Sequence, residues 1–211
     1  DVSRDSWAVY GEVEADLTDN FSASAAVRYE DYSDFGDATS GKLSGRYVFN
    51  EVVSLRGTVS TGFRAPTLAQ QYYSTTATVF VAGVPFDIRT FPVNDPVAIA
   101  LGAEPLKAEE STSLSLGLGL QFTADWNVTL DAYQIDIDDR IVLSSNLLLG
   151  GNAAAQALLA SLGVNGVTSA RYFTNAADTR TRGIDVIAQY TVPLANSSLN
   201  LTAGYNHNKT D

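Results

Sequence analysis

Residues 111–122 read STSLSLGLGLQF. Leu114, Leu116, Leu118, Leu120 and Phe122 occupy one parity, while Ser113, Ser115, Gly117, Gly119 and Gln121 occupy the other. Successive side chains of a β-strand face opposite sides, so a period of two is a strand signature. The run is about twice the five or six residues usual in a globular strand. A tilted strand crossing hydrocarbon needs about ten alternating residues. This stretch therefore predicts a strand with one apolar face and enough length to span a bilayer.

The same alternation recurs on either side. Phe21, Ala23, Ala25, Val27 and Tyr29 alternate with Ser22, Ser24, Ala26, Arg28 and Glu30. Val53, Leu55, Gly57 and Val59 alternate with Ser54, Arg56, Thr58 and Ser60. Eight strands are predicted, at 7–17, 21–31, 39–49, 53–62, 111–122, 126–140, 178–192 and 199–206. Their connections alternate in length: 18–20, 50–52, 123–125 and 193–198 are short, whereas 32–38, 63–110 and 141–177 are long. Short turns at one end and long loops at the other describe an outer-membrane barrel, with its first strand here running toward the periplasm. A structureless loop of that length would be unusual in a compact soluble domain. Aromatics fall near both ends of the apolar rows, Phe21, Phe49, Phe122, Trp126 and Tyr190 at one and Trp7, Tyr29, Phe63 and Tyr205 at the other, as interfacial girdles would.

Two places break the alternation. Residues 152–162 (NAAAQALLASL) carry a helix signal, with Asn152 as N-cap and Gly163 as stop. In the sixth strand Val128, Leu130 and Ala132 share one parity but Tyr133, Ile135 and Ile137 take the other. That shift marks either a β-bulge or the point where the strand leaves the bilayer.

The chain has 211 residues and a formal charge of -11. Such an acidic balance argues against nucleic acid as a partner. It lacks cysteine, which excludes a disulfide framework or thiolate metal site. It also lacks methionine and begins at Asp1, so we expect a piece of a longer protein. No charged residue lies between Arg140 and Arg171, but Ser144, Ser145, Asn146, Gly150 and Gly151 interrupt the stretch, and a spanning helix is not expected there.

Four segments resemble signatures of the TonB-dependent receptor family. STGFRAPT at 60–67, followed by Leu68, Gln70 and Tyr72, resembles the family's strand rising into a long extracellular loop. LKAEES at 106–111 resembles its return, with Ala108 where the family often has proline. Trp126 through Ile141, with Asp131 and the run DDRI at 138–141, resembles the strand that follows. TRGID at 181–185 resembles the Gly-aliphatic-acid strand, with Asp185 where glutamate is frequent. The resemblance implies an all-β fold, with residues 1–211 forming about eight antiparallel strands of a 22-strand transmembrane barrel and one short helix in an extracellular loop. The plug domain and final strands would lie outside this chain. It further implies an outer-membrane receptor of a Gram-negative bacterium. Such a receptor takes up a scarce ligand (an iron-siderophore, cobalamin or oligosaccharide) with energy from the TonB complex acting through the plug. Outer-membrane lipid is the expected surrounding partner. Two alternatives remain: a soluble all-β carbohydrate-binding module, or a porin-like barrel independent of TonB.

Candidate site residues follow from face and loop. Glu12, Glu14, Arg28, Glu30, Lys42, Arg46, Arg56 and Asp185 lie on the polar parity and are expected to face a wet lumen. If Phe49 pairs with Val53, Arg46 stands opposite Arg56, and like charges directly opposed are destabilising. Either a carboxylate from elsewhere, such as the plug, lies between them, or both splay into water. Arg64, before Ala65-Pro66, is a candidate ligand contact beside a structural role, because proline restricts its predecessor. Tyr72 and Tyr73, in the longest loop, are candidates for stacking on sugars or planar chelates. His207 is the sole histidine, and Asp136, Asp138 and Asp139 lack the ordered loop of a calcium site. No metal, cofactor or catalytic constellation is expected, and the protein is read as not an enzyme. An isolated sheet piece with two raw edges is expected to associate.

Overall fold

The computed structural model describes residues 2–164 and 166–211. In chain order its strands are β1 (Ser6–Thr18), β2 (Phe21–Tyr32), β3 (Gly36–Val48), β4 (Val53–Arg64), β5 (Thr75–Val81), β6 (Val84–Thr90), β7 (Glu109–Thr123), β8 (Trp126–Leu143), β9 (Leu147–Leu148), β10 (Val167–Arg171), β11 (Phe173–Leu194) and β12 (Ser197–Thr210). Among the described residues three α-helices accompany them, α1 (Leu68–Tyr72), α2 (Pro96–Ala100) and α3 (Ala153–Ser161), with a single 3-10 turn at Leu149–Gly151. Two compact units result. A sheet unit holds Ser6–Phe63, Glu110–Ile137 and Thr179–Asp211, and a loop unit holds Arg64–Glu109 and Asp138–Asp178 with the residues before Ser6.

The sheet unit is built from the eight predicted strands, in the order β1-β2-β3-β4-β7-β8-β11-β12. Neighbours in sequence are neighbours in space wherever a short turn joins them. Asn50 makes the turn before β4, its Oδ1 accepting from the Val52 and Val53 N–H groups at 2.9 Å each. The register is continuous over Ser6–Tyr32 on β1–β2 except for a shift between Asp16 and Thr18, and over Phe21–Tyr47 on β2–β3. Paired residues share a face, so the registers fix which side chains stand together.

The 32–38 connection is a correction. Tyr32 pairs with Gly36, and the link is a tight turn of residues 33–35 in which Gly36 takes φ +104°. Glycine reaches that conformation without a Cβ clash. The expected loop is thus a hairpin, and only the 63–110 and 141–177 connections are long.

Those two long connections are not structureless, and they hold more than the single helix expected. β5 and β6 form a hairpin through Ala82 and Gly83, both at positive φ, as a two-residue turn matched to strand twist requires. β10 joins β6 in parallel and β9 antiparallel, giving the sheet β5-β6-β10-β9. The Asn152 side chain caps α3 by accepting from Ala155 N–H at 3.0 Å. Gly163 at φ +67° ends α3, and Val164 N–H returns to Leu159 carbonyl at 2.9 Å. The same closure ends α2, where Asp95 caps the start, Pro96 opens the first turn, and Gly102 takes φ +98°.

The two units bury hydrophobic surface in opposite ways. Phe91, Val93, Val97, Ala98, Leu149, Ala155, Leu159, Ala170 and Tyr172 pack into one cluster in the loop unit. Every buried hydrophobic side chain among the described residues belongs to that unit. In the sheet unit the large apolar residues are the exposed ones, including Val13, Leu43, Leu114, Leu116, Ile184 and Leu201, each at least half exposed. A sandwich needs two apolar faces packed about 10 Å apart; this sheet has no such core.

Replacing Leu159 by alanine in the full-length protein is expected to destabilise the loop unit by about 2–5 kcal/mol. Hydrogen exchange should then accelerate over residues 84–90 and 153–161, while residues 111–122 keep their protection. Equal loss in both regions would contradict the loop unit's having a core of its own.

Candidate functional site

The polar face of the sheet unit is a set of rungs. Glu12 stands beside Ala26, Lys42 and Ser60, and Glu14 beside Ser24, Ser44 and Thr58. Arg28 shares a rung with Tyr10 and Ser40, and its guanidinium pairs with Glu30, which also accepts from Tyr32 hydroxyl at 2.6 Å. Asp185 stands opposite Asn206 and accepts from its side-chain amide. All the charged residues predicted to share the polar parity therefore lie across from the apolar rows.

Arg46 does stand opposite Arg56. A strand two places along the sheet supplies the countercharge: Asp131 on β8 accepts from Arg56 Nη2 at 2.7 Å and from Nε at 3.1 Å. β7 lies between β4 and β8, so the pair must reach across a whole strand. Gly117 opens the way, because a Cβ there would collide with both the Asp131 carboxylate and the Arg56 side chain. Gly183 plays the same part for Tyr133, whose ring covers the space a side chain would fill. Both contacts are built from glycines that composition alone reads as defects in a strand.

Those contacts also settle the sixth strand. Asp131 and Tyr133 share the polar face, while Gln134 and Asp136 bond to Arg182 and Arg180 on the other face. Alternation is therefore unbroken from 131 to 136. No bulge occurs there; the outward face turns polar beyond Ala132. The irregularity comes later, at Asp139 with φ +56°, where its N–H donates to Asp178 Oδ1 at 3.0 Å and its carbonyl accepts from Asn175 at 2.6 Å.

Arg64 is tied down within the loop unit. Its Nε donates to Glu109 Oε2 at 2.8 Å, and Nη2 binds the other oxygen. Glu109 is buried and accepts a further bond from Ile141 N–H at 2.8 Å. One carboxylate thus joins the ends of β4, β7 and β8. Arg64 lowers the Glu109 pKa below the ordinary carboxylate value, burial opposes this, and Ile141 N–H lowers it again. The same bond raises the Arg64 pKa. Half of the Arg64 side chain stays exposed. Tyr72 closes α1, which Thr67 and Gln70 start with a reciprocal capping box, and Tyr73 follows it. Both residues are exposed, at 38% and 50%. Among the described residues, no cluster of His, Cys, Asp or Glu is arranged to hold a metal ion. No helix is long and apolar enough to cross a membrane, which says nothing about strands.

Long antiparallel strands with one exposed apolar face, a polar face crossed by the Arg56–Asp131 ion pair, and long connections folded around their own core are the features of a membrane β-barrel wall. Comparison with known proteins gives the family. The model for the family "TonB dependent receptor-like, beta-barrel" matches residues 1–211, and the chain belongs to that family. No curated protein matches it in sequence. Among solved structures it is similar to the siderophore receptor PirA from Pseudomonas aeruginosa, with TM-score 0.66 and 21% identity over 96% of this chain and 34% of that one. It is similar to a ferric enterobactin receptor mutant (PfeA) from Pseudomonas aeruginosa in complex with enterobactin, with TM-score 0.65 and 18% identity over 95% and 27%. The RagAB peptide importer matches with TM-score 0.64 and 12% identity over 97% and 22%. The chain thus spans about a third or less of the solved receptors it matches, and at these identities the likeness shows the fold alone.

The Arg64–Glu109 bond makes a signed prediction. A carboxylate with a lowered folded pKa contributes stability that is fully present above its unfolded value of about 4.3 and is lost as pH falls through the lower folded value. Arg64→Ala leaves Glu109 buried with only the Ile141 N–H, so acid loosening of the loop unit should move to higher pH and neutral stability should drop by about 1–3 kcal/mol. Glu109→Gln keeps an acceptor for Ile141 and should cost less. Urea titrations of the full-length variants between pH 3 and 7 check the order; an Arg64→Ala profile parallel to the parent's would contradict it.

Proposed function

We propose that this chain is part of the barrel wall of an outer-membrane receptor in a Gram-negative bacterium, which imports a scarce ligand with energy delivered by the TonB complex through a plug. The observation that carries the reading is the inverted burial of the sheet unit, whose apolar side chains face outward with no protein core to enter. Outer-membrane lipid is the partner for that face. The opposite face, with Glu12, Arg28, Lys42, Arg46, Arg56 and Asp185, would line the lumen. A charge directed into hydrocarbon costs about 2–4 kcal/mol at the midplane, whereas on a wet wall it costs little.

An iron-siderophore is the ligand class with most support, because two of the solved receptors above bear that function in their names. Cobalamin and oligosaccharide remain the other members of the class, and the peptide importer shows that one fold serves different cargo. Tyr72 and Tyr73 are proposed to stack on the ligand, with the exposed half of Arg64 as a polar contact beside its bond to Glu109. Residues 1–211 would then be barrel throughout, including the loop unit.

The full-length receptor, expressed in an outer membrane under iron limitation, should take up labelled ferric siderophore in a strain with TonB and lose at least about 90% of uptake without it, the dependence expected of energised transport against a gradient. Tyr72→Ala with Tyr73→Ala should weaken ligand binding by about tenfold or more, the worth of one or two lost aromatic contacts. Uptake indifferent to TonB would point instead to a porin-like barrel, and unchanged affinity in the double variant would remove the tyrosines from the site.

A further inference from the structure

The polar face of the sheet unit changes character across its width. On β1–β4 it carries charges of both signs. Glu12 and Lys42 share one rung, Asp16 and Arg46 share another, and Glu14 lies between them. Two charges on these strands have partners close by, Arg28 in Glu30 and Arg56 in Asp131. Glu12, Glu14, Asp16, Lys42 and Arg46 make no ion pair or side-chain hydrogen bond among the described residues.

On β7, β8, β11 and β12 the same face is nearly neutral. Within the sheet unit its charged residues there are Asp131 and Asp185, and both are engaged, one by Arg56 and the other by the Asn206 amide. Hydroxyls and amides take the place of charge. Asn208 donates to Asn206 at 3.0 Å, Thr191 donates to Asn200 at 2.9 Å, and Gln189 stands opposite Thr202.

The two halves suit different tasks. A charge pressed against another protein surface loses its water, and it is costly there without an opposite charge. Glu12, Glu14, Lys42 and Arg46 therefore call for complementary charges on whatever fills the lumen, and charge-assisted bonds are about twice as strong as neutral ones. A hydroxyl or amide trades a protein partner for water at little net cost. Passage of a solute needs contacts favourable enough to admit it and weak enough to release it. Charge holds; neutral polar groups let go.

We propose that the lumen wall is divided in function, with β1–β4 holding the plug by ion pairs and the ligand passing along β7, β8, β11 and β12, where plug and wall part. The proposal rests on the import reading above, and it adds the side on which the path opens.

The test is site-directed labelling of the full-length receptor, freed of any cysteine and expressed in iron-starved cells of its own bacterium. Single cysteines replace Ser24 and Ser44, which face each other on β2 and β3, and Gln189 and Thr202, which face each other on β11 and β12. A membrane-impermeant charged maleimide is the probe, applied to energised cells and to cells treated with a protonophore. Energising should speed labelling at least about fivefold at positions 189 and 202 and less than about twofold at 24 and 44, as expected when a minor open state gains population on one side only. Folding is read from heat-dependent migration on gels. Should Gln189→Cys or Thr202→Cys not fold, Thr191→Cys and Asn200→Cys report on the same half. Equal acceleration on both halves, or acceleration confined to 24 and 44, would overturn the division while leaving energised import intact. No acceleration at any position would overturn both.

Discussion

Hydrocarbon offers a peptide group no hydrogen bonds, so each backbone donor and acceptor that crosses a bilayer must be met by a neighbouring strand. That constraint explains why the sheet unit is almost entirely long, regular, antiparallel ladder. It also removes the usual reason for burying side chains. Water drives apolar groups into a core, but a face surrounded by lipid gains nothing by hiding them. Exposure of Leu114 and Leu116 is the state expected of a lipid-facing sheet. Stability in such a sheet comes from ladder bonds and from contacts across the other face, where Arg56 reaches Asp131 over Gly117.

The second unit follows the opposite rule. The loop unit gathers Val97, Ala98, Ala155 and Leu159 into a core. The small side chains at Ala98 and Ala155 let α2 and α3 approach closely, and caps satisfy the helix ends that lipid-facing strands never possess. The chain therefore carries two solutions to the same problem of unmet backbone groups, chosen by solvent. The Arg64–Glu109 bond and its link to Ile141 lie within the loop unit, at the ends of β4, β7 and β8. A buried carboxylate there is tolerable because a guanidinium and an N–H both meet it.

Much of this was legible in the letters. All eight sheet strands follow from alternation, because a period of two leaves a mark in any sequence whose faces meet different solvents. The Arg46–Arg56 opposition was readable from one turn. Asp131 as its answer was not, since the pair spans an intervening strand and no local pattern reports on a neighbour 75 residues away. The turn at 33–35 departs from the expected loop because Tyr32 and Gly36 are strand residues without the apolar alternation. The helix α2 was missed although Asp95, Pro96 and Gly102 spell its start and stop. Five residues are too few to show a helical period, and only the punctuation could have revealed it. The parity shift at Tyr133 left a bulge and a strand leaving the bilayer equally open because an aromatic on the polar face mimics a shifted apolar row; Gly183 beneath it is the missing half of the signal.

Every part of this account depends on which solvent meets each side of the sheet. Single tryptophans placed at successive positions from 113 to 116 of the full-length receptor, in a background where Trp7 and Trp126 are phenylalanine and in vesicles of brominated lipid, report it directly by fluorescence quenching. Strong quenching at positions 114 and 116 with weak quenching at 113 and 115 is the predicted result. Quenching that is uniform along the strand, or stronger at the serine positions, would contradict it.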